Sequence, residues 1–316
     1  MHAPATPERP ETKPKTPNIQ QQRWALIAII AGAIGIAFAP IFVRLSEVGP
    51  VASAVWRVGL AAPPLFILAS ITQARRSRRG VAGPIPLKAA FMPGAALGLI
   101  FCGLSFAADL GFWHYSLEFT TVANSTLLAN LAPIFVALAA WLIFKDPPNR
   151  QLLIGLALAM SGCAILMLTS LELGGRNLIG DVLGVATAIA YAAYQMGVAR
   201  LGKRLDALTI MAWTSLITAP VLLILALALG EPIWPETMFG WAMLASLAVI
   251  SHVAGQSFIV YGFSYLNSTF ASTSLLLQPV IAAILAWIIF GEALGPLHII
   301  GGLVVMSGIY LARRAS

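Results

Sequence analysis

Charged residues and cysteines are scarce in this sequence. Lys, Arg, Asp and Glu make up 10% of the 316 residues, whereas a soluble globular domain carries about 25%. Together with 59% hydrophobic residues and a mean hydropathy of +0.86, that shortage excludes an ordinary soluble domain and indicates a polytopic membrane protein. The two cysteines, Cys102 and Cys163, both lie inside apolar runs, which disfavours a disulfide framework or a cysteine metal site. We predict no metal and no cofactor.

The sequence also lacks the common motifs of hydrolytic enzymes. It contains no H-E-x-x-H, no G-x-S-x-G and no pair of carboxylates inside an apolar run. An intramembrane enzyme built from His252, Asp109 and a serine such as Ser251 is therefore a remote alternative, and we predict no catalytic residues. The pI near 9.8 does not call for a nucleic-acid partner, because membrane proteins collect Lys and Arg in their cytoplasmic loops.

Ten apolar segments are candidates for membrane-spanning helices. A bilayer core of about 30 Å requires about 20 helical residues, and the chain offers segments 24–43, 51–72, 89–116, 122–144, 152–169, 180–199, 207–229, 239–265, 269–290 and 296–311. Residues 1–22 contain five prolines and mixed charge, so we predict a disordered tail there. The expected fold is an all-α bundle of ten transmembrane helices in the lipid bilayer.

The distribution of basic residues predicts the orientation of these helices. With the N-terminus inside, sixteen of the 19 Lys and Arg fall on the cytoplasmic side. The opposite orientation would place the same sixteen outside, against the positive-inside rule. Both termini are therefore predicted to be cytoplasmic, in the inner (plasma) membrane.

One stretch of the sequence occurs twice. Segments 132–162 and 278–308 align without a gap, so that Pro133 matches Pro279 and Trp141 matches Trp287. Both copies end in M-S-G, and their small residues predict helix-packing faces. Residues 23–170 and 178–312 each hold five spans, an odd number, so the two repeats would enter the membrane from opposite sides. Inverted repeats are typical of alternating-access transporters that bind substrate between the repeats; a duplicated scaffold without transport is the alternative.

Several motifs resemble those of a known family. The stretches AFAPIFVRLSEVGP followed by AVWR, NLAPIFVALAAWLIFKDPP and LLQPVIAAILAWIIFGEAL resemble EamA-type members of the drug/metabolite transporter superfamily, over residues 24–312. The stretch AIAYAAYQMGVARL at 188–201 is similar to the sixth helix of YddG-like aromatic amino-acid exporters. This resemblance implies a ten-helix bundle around a central cavity, with the fifth and tenth helices packed towards the rear.

Two charged residues lie inside the predicted spans. A charge at the bilayer centre costs at least about 2.5–3.5 kcal/mol, so such residues are candidates for function. Asp109 in the third helix is the carboxylate well inside a span, and Arg57 in the second helix is the guanidinium. They either form a structural ion pair or handle substrate or protons. Trp113 follows Asp109 by four residues and shares its helix face.

The sixth and eighth helices add polar and aromatic candidates. Tyr191 and Gln195 are four residues apart and share a face, and the eighth helix carries His252, Gln256 and Phe263. When the two repeats are aligned, the polar positions of the eighth helix are shifted by one residue from those of the third helix, which rotates them by about 100° around the helix axis. We therefore expect the two helices to present faces that are not strictly equivalent. For His252, a histidine satisfied at a helix interface is an equal alternative.

The fourth and ninth helices each contain a proline near the middle of the membrane. Pro133 and Pro279 each remove a helical hydrogen bond and are predicted to kink their helices around a cavity, although simple packing curvature would give the same pattern. Asn130 and Gln278 lie immediately before these kinks. We include both among the predicted substrate-binding residues.

The predicted site is aromatic and mostly neutral, which restricts the substrate. A carrier of phosphorylated sugars would need several cations at the midplane, and only Arg57 is available. A proton-driven exporter of cationic drugs like the small four-helix members of the superfamily would need a carboxylate in its first helix, and segment 24–43 has none. We predict a monomeric exporter of small molecules, amino acids foremost; other neutral amphipathic metabolites or drugs are the alternative, and proton coupling stays open.

Overall fold

The computed structural model describes residues 18–78, 80, 86–92, 94–120, 122–167, 177–291 and 294–315. Within these ranges the chain is helical without a strand, and nine segments are long and apolar enough to cross a membrane. A tenth apolar helix, Arg150–Leu166, is slightly shorter. The predicted all-α membrane class is confirmed. Residues 1–17 of the predicted tail, and the junction between the predicted repeats, lie outside the described residues.

Fifteen α-helices make up these spans, because several spans are interrupted. In the first half they are α1 (Ile19–Ala37), α2 (Ala39–Arg44), α3 (Pro50–Gly59), α4 (Ala62–Arg78), α5 (Ala95–Ser116), α6 (Val122–Ala129), α7 (Ala132–Leu142) and α8 (Arg150–Met167). In the second half they are α9 (Asn177–Leu201), α10 (Ala207–Ala228), α11 (Met238–Ser246), α12 (Ser257–Tyr265), α13 (Ser268–Ser274), α14 (Leu277–Phe290) and α15 (Pro296–Arg314). A 3₁₀ turn, Pro86–Phe91, precedes α5, and a π-helical segment, Leu247–Gln256, joins α11 to α12.

Helix α1 begins earlier and α5 begins later than hydropathy predicts. Asn18 and Gln21 form a reciprocal capping box, in which each side chain accepts a hydrogen bond from the other residue's backbone N–H, so α1 already starts at Ile19. Gly94 adopts φ of 74°, a left-handed conformation that favours glycine. The third span therefore starts at Ala95 rather than at residue 89.

The fourth and ninth spans are broken at corresponding places. Helix α6 ends three residues before the start of α7 and α13 ends three residues before α14, in each case just ahead of Pro133 or Pro279. The Leu275 carbonyl, which Pro279 cannot use, instead accepts a hydrogen bond from the backbone N–H of Gln278 at 2.9 Å. Each break therefore turns the backbone at the depth of the cavity described below.

Packing interlocks the two halves of the chain. Helix α1 packs against α12, α14 and the π segment, α5 packs against α9, and α10 packs against α3, α4 and α5. Helices α6 and α7 pack against α9, α7 also packs against α13, and α8 packs against α15. Each of these contacts joins a helix of the first five spans to a helix of the last five. The pairing of α8 with α15 is the one that the family resemblance implies for the fifth and tenth helices.

Glycines make the contact between α8 and α15. A Cβ atom on Gly162 would lie 2.6 Å from the backbone nitrogen of Val305 and 2.8 Å from the carbonyl oxygen of Gly301. A Cβ on Gly155 would lie 2.8 Å from the carbonyl oxygen of Gly308. The two helices thus meet backbone to backbone, as expected for small-residue faces in membranes. The packing faces predicted from the repeated M-S-G segments are observed.

Candidate functional site

A central cavity of about 130 Å³ lies between the two halves of the bundle. Its walls come from α1, α2, α3, α5, α6, α7, α9, α13, α14 and the end of the π segment. It extends from Gln195 and Ser272 to Trp113, which lies near the end of α5. Trp113 and Pro40 both belong to the helix ends opposite the chain termini, whereas Ser272 lies in α13, before the midspan break, so the cavity extends from the interior of the bundle towards the end away from the termini.

Close helix contacts border the cavity between α1 and the π segment. A Cβ on Gly32 would lie 2.8 Å from the Gly255 carbonyl oxygen, and a Cβ on Gly35 would lie 3.0 Å from the Gly255 Cα. The Ser251 hydroxyl donates a hydrogen bond of 2.9 Å to the Gly35 carbonyl. On the other side of the bundle, α9 approaches α5 so closely that a Cβ on Gly197 would clash with Cys102.

Most of the predicted binding residues meet at this cavity. Seven of the nine line it, namely Asp109, Trp113, Asn130, Tyr191, Gln195, Gln256 and Gln278. Arg57 and the two prolines Pro133 and Pro279 line it as well. The cavity therefore combines polar side chains that are far apart in the sequence and belong to both five-span halves.

His252 and Phe263 lie elsewhere. His252 is fully buried behind the cavity wall, where its Nε2 is 2.8 Å from the Ser215 hydroxyl on α10. Its ring stacks on Phe106 at a centroid distance of 5.5 Å. Phe263 is 2% exposed within the main hydrophobic core. His252 thus supports the wall from behind at a helix interface, with its Nε2 paired to Ser215 and its Nδ1 buried without a hydrogen-bond partner in the described part of the chain, and Phe263 belongs to the packing around α12.

The faces of α5 and of the π segment are unequal. Four side chains of α5 reach the cavity (Phe106, Asp109, Leu110 and Trp113), whereas Gln256 is the cavity-lining side chain of the π segment and α12 within the described residues. Helix α1 covers the remaining part of that face, since its glycines lie against Gly255. π-Helical turns are uncommon and occur frequently at functional sites. Here the segment ends at the cavity with Gln256.

An aromatic wall closes one side of the cavity. Phe106 stacks on Tyr194 with centroids 4.5 Å apart, and Tyr194 stacks in turn with Tyr191 at 6.2 Å. Tyr194 is fully buried, and its hydroxyl donates to the Met211 sulfur at 3.3 Å. Phe106, Tyr191 and Trp113 present their side chains to the cavity. Such a wall provides apolar area and ring faces for stacking or for a cation.

Several buried polar atoms around the cavity have no hydrogen-bond partner within the described part of the chain. They are Arg57 Nε, Thr126 Oγ1, Asn130 Nδ2, Gln195 Oε1, Gln256 Nε2, Ser272 Oγ and Gln278 Nε2. A buried polar atom without a partner costs about 1–3 kcal/mol, so a concentration of seven at one cavity is expensive unless a polar ligand engages them. This arrangement can bind a small polar molecule from several directions.

Four polar or aromatic residues that line the cavity were not among the predicted binding residues: Phe106, Thr126, Thr187 and Ser272. Thr126 and Ser272 carried a signal, because each is a polar residue seven positions before a midspan proline. No sequence signal marked Phe106, since an aromatic residue in an apolar run can equally face lipid. Among the described residues, no group of three His, Cys, Asp or Glu side chains is arranged to hold a metal ion.

Two loops meet at the end of the bundle away from the termini. The Glu231 carboxylate accepts hydrogen bonds from the backbone N–H groups of Val51 (3.2 Å) and Ala52 (2.7 Å), at the start of α3. Trp56 Nε1 donates to the Ile233 carbonyl at 2.7 Å. Burial raises the pKa of Glu231 above its ordinary value of 4.5, although these hydrogen bonds act to lower it. These hydrogen bonds join the loop after α10 to the second span.

Comparison with known proteins identifies relatives over the whole membrane region. The EamA-like transporter family matches residues 23–168 and 178–314. A probable terminal-alkyne amino-acid exporter of Streptantibioticus cattleyicolor is 25% identical, over 92% of this chain and 93% of that protein. The pseudopaline exporter of Pseudomonas aeruginosa is 24% identical, over 68% of this chain and 74% of its own length.

Two further similarities support the same fold. An uncharacterised transporter of Archaeoglobus fulgidus is 27% identical, over 63% of this chain and 70% of that protein. A solved crystal structure superimposes with a TM-score of 0.72 at 17% identity, over 94% of this chain and 98% of the other. At that level of identity the superposition shows the fold alone.

Proposed function

Since the chain belongs to the EamA-like transporter family, we propose that it exports amino acids, aromatic or other neutral ones, across the inner (plasma) membrane by alternating access. The observation that carries this proposal is the cavity in which unpartnered polar atoms face an aromatic wall. Polar atoms suit the α-carboxylate and α-amino groups, and the rings suit an apolar side chain. The names of two relatives, which refer to export of pseudopaline and of an alkyne-bearing amino acid, point in the same direction.

The position of the cavity supports alternating access. Residues from both five-span halves line it, as expected when inverted repeats hold substrate between them. If the positive-inside prediction is right, the termini are cytoplasmic. The end of the cavity at Trp113 and Pro40 then points outward, and the glycine contacts of α1 with the π segment lie beside the cavity.

Counterflow in proteoliposomes tests the proposal. Purified protein is reconstituted into liposomes preloaded with one unlabelled amino acid, and uptake of the same labelled amino acid is followed across a panel. We expect saturable counterflow for at least one neutral or aromatic amino acid, and none in protein-free liposomes. Repeating the measurement with an imposed pH gradient distinguishes proton coupling from facilitated diffusion. Absence of counterflow for every member of the panel would refute the proposed substrate class.

A second candidate substrate class has its own support. Much of the cavity wall is aliphatic, with Ile36, Leu110, Leu275, Leu276 and Ala282 among its members. Such a wall suits other neutral amphipathic metabolites or drugs. Counterflow decides between the two classes: if a neutral amphipathic compound shows saturable counterflow of its own while no amino acid does, the second class is the substrate, whereas a compound that shares the cavity with transported amino acids inhibits their labelled counterflow.

A further inference from the structure

Arg57 is the residue that α3 contributes to the described cavity wall. Helix α3 packs against α10, α5 and the π segment, and the Arg57 side chain extends from it to the cavity. The residue is 5% exposed, and its Nε has no hydrogen-bond partner within the described residues. A guanidinium stays charged in proteins and offers five N–H donors in a fixed planar arrangement. A cation that is both buried and incompletely bonded requires an anion beside it.

Asp109 is an acidic residue in the wall of the same cavity. It is 8% exposed. Among the described side chains of the cavity wall, Arg57 is the basic one and Asp109 the acidic one. A zwitterionic ligand, which carries one charge of each sign, matches that composition.

We propose that Arg57 binds the carboxylate of a zwitterionic substrate and that Asp109 binds its ammonium group. This assignment rests on the proposed amino-acid transport and adds the polarity with which the substrate is held. The planar guanidinium pairs with a carboxylate through two parallel hydrogen bonds. The unpartnered amide nitrogens of Asn130, Gln256 and Gln278 are further donors to the same end of the ligand.

Arg57 and Asp109 together discriminate against ligands that lack either the carboxylate or the ammonium group. An amine without the carboxylate occupies Asp109 and brings no anion to the guanidinium. A carboxylic acid without the amine does the converse to Asp109. Both single-charge analogues leave one buried charge uncompensated, which is strongly unfavourable. The zwitterion is therefore selected over its decarboxylated and its deaminated analogue, whatever its side chain.

The experiment compares three ligands on matched variants. The ligands are the amino acid that gives the strongest counterflow on the wild type, the amine formed by removing its carboxylate and the acid formed by removing its amino group. Inhibition of labelled counterflow gives the affinity of each for the wild type, Arg57→Gln, Asp109→Asn and the control Arg150→Gln. Arg150 is exposed at the start of α8, outside the cavity wall.

We expect Arg57→Gln and Asp109→Asn to have opposite effects on the affinities of the amine and the acid. Arg57→Gln weakens the amino acid and the acid by about tenfold or more, one factor of ten being 1.4 kcal/mol, and leaves the amine unchanged or tighter. Asp109→Asn weakens the amino acid and the amine and spares the acid. Arg150→Gln matches the wild type for all three. If Arg57→Gln weakens all three ligands equally, the assignment is overturned, while wild-type counterflow still upholds amino-acid transport.

Misfolding is separated from binding by two further variants. Arg57→Lys keeps the charge but loses the two-bond geometry, so we expect its thermal midpoint in detergent to match the wild type while affinity for the amino acid falls selectively. The double variant Arg57→Gln/Asp109→Asn removes both charges together. It regains full amino-acid affinity if the two residues form only a structural pair, which overturns the proposal, and it stays weak if they bind the substrate.

Discussion

Gly162→Ala probes how closely α8 and α15 approach each other. The added Cβ would lie 2.6 Å from the Val305 nitrogen and 2.8 Å from the Gly301 carbonyl oxygen, well inside van der Waals contact. Both neighbours are backbone atoms of α15, so no side-chain rotation relieves the overlap and the helix itself has to move. Overpacking of this kind costs about 1–3 kcal/mol, and alanine's helix propensity returns about 0.8–1.0 kcal/mol relative to glycine.

Gly59→Ala is the matched control. Gly59 is the last residue of α3, and a Cβ there meets nothing within 4 Å, so it shares part of the propensity gain without the clash. We expect Gly162→Ala to be less stable than this control by about 1–3 kcal/mol, measured as the denaturant or thermal midpoint in detergent micelles. Substrate affinity should be unchanged, because neither α8 nor α15 contributes a described residue to the cavity wall. Equal stability of the two variants would refute backbone contact between these helices.

Three further predictions concern the contact of α1 with the π segment, the buried histidine and the hydrogen bonds of Glu231. Gly35→Ala should abolish counterflow while preserving expression, because its Cβ would lie 2.9 Å from the Ile250 carbonyl and push α1 away from the π segment beside the cavity; unimpaired counterflow would contradict a role for this contact in transport. Ser215→Ala should lower the thermal midpoint by removing the partner of His252, a loss of about 1–3 kcal/mol; an unchanged midpoint would argue against that bond. Because the pKa of Glu231 is raised in the folded state, folded protein binds this proton more readily than unfolded protein. Wild-type stability should therefore fall as pH rises above 4.5, and melting curves across pH should show that Glu231→Gln removes this component.

The sequence predicts where the chain crosses the membrane much better than how the backbone behaves inside it. Hydropathy marks segment 24–43 as one span, yet the structure breaks it between α1 and α2, ahead of Pro40. Midspan breaks at Pro133 and Pro279 could be anticipated because proline removes a donor. The π segment could not, because its residues are as apolar as their neighbours and only the hydrogen-bond pattern differs.

Polar cavity residues could be found from the sequence because they interrupt apolar runs. Asp109 and Gln256 stand out in this way, and the structure brings both to the cavity. Apolar wall residues such as Phe106 could not be found, since lipid and protein interior are equally apolar and a helix facing both shows little periodicity. His252 was predicted to bind substrate but does not line the cavity. A polar side chain interrupts an apolar run in the same way whether it faces a ligand or, as here, a serine on another helix.

The asymmetry between α5 and the π segment indicates which contacts have to separate during transport. On α5 the polar face is open to the cavity, whereas α1 covers the corresponding face beside Gly255. That cover combines glycine backbone with the side chains of Ile259 and Ile29, which lie against Gly32 and Gly262, and with a hydrogen bond from Ser251 to the Gly35 carbonyl. Most of this contact is apolar, so parting the helices leaves few polar groups that need a new partner. Under the proposed mechanism, opening towards the termini therefore separates α1 from the π segment, while the glycine contact of α8 with α15, which lies away from the cavity, stays closed.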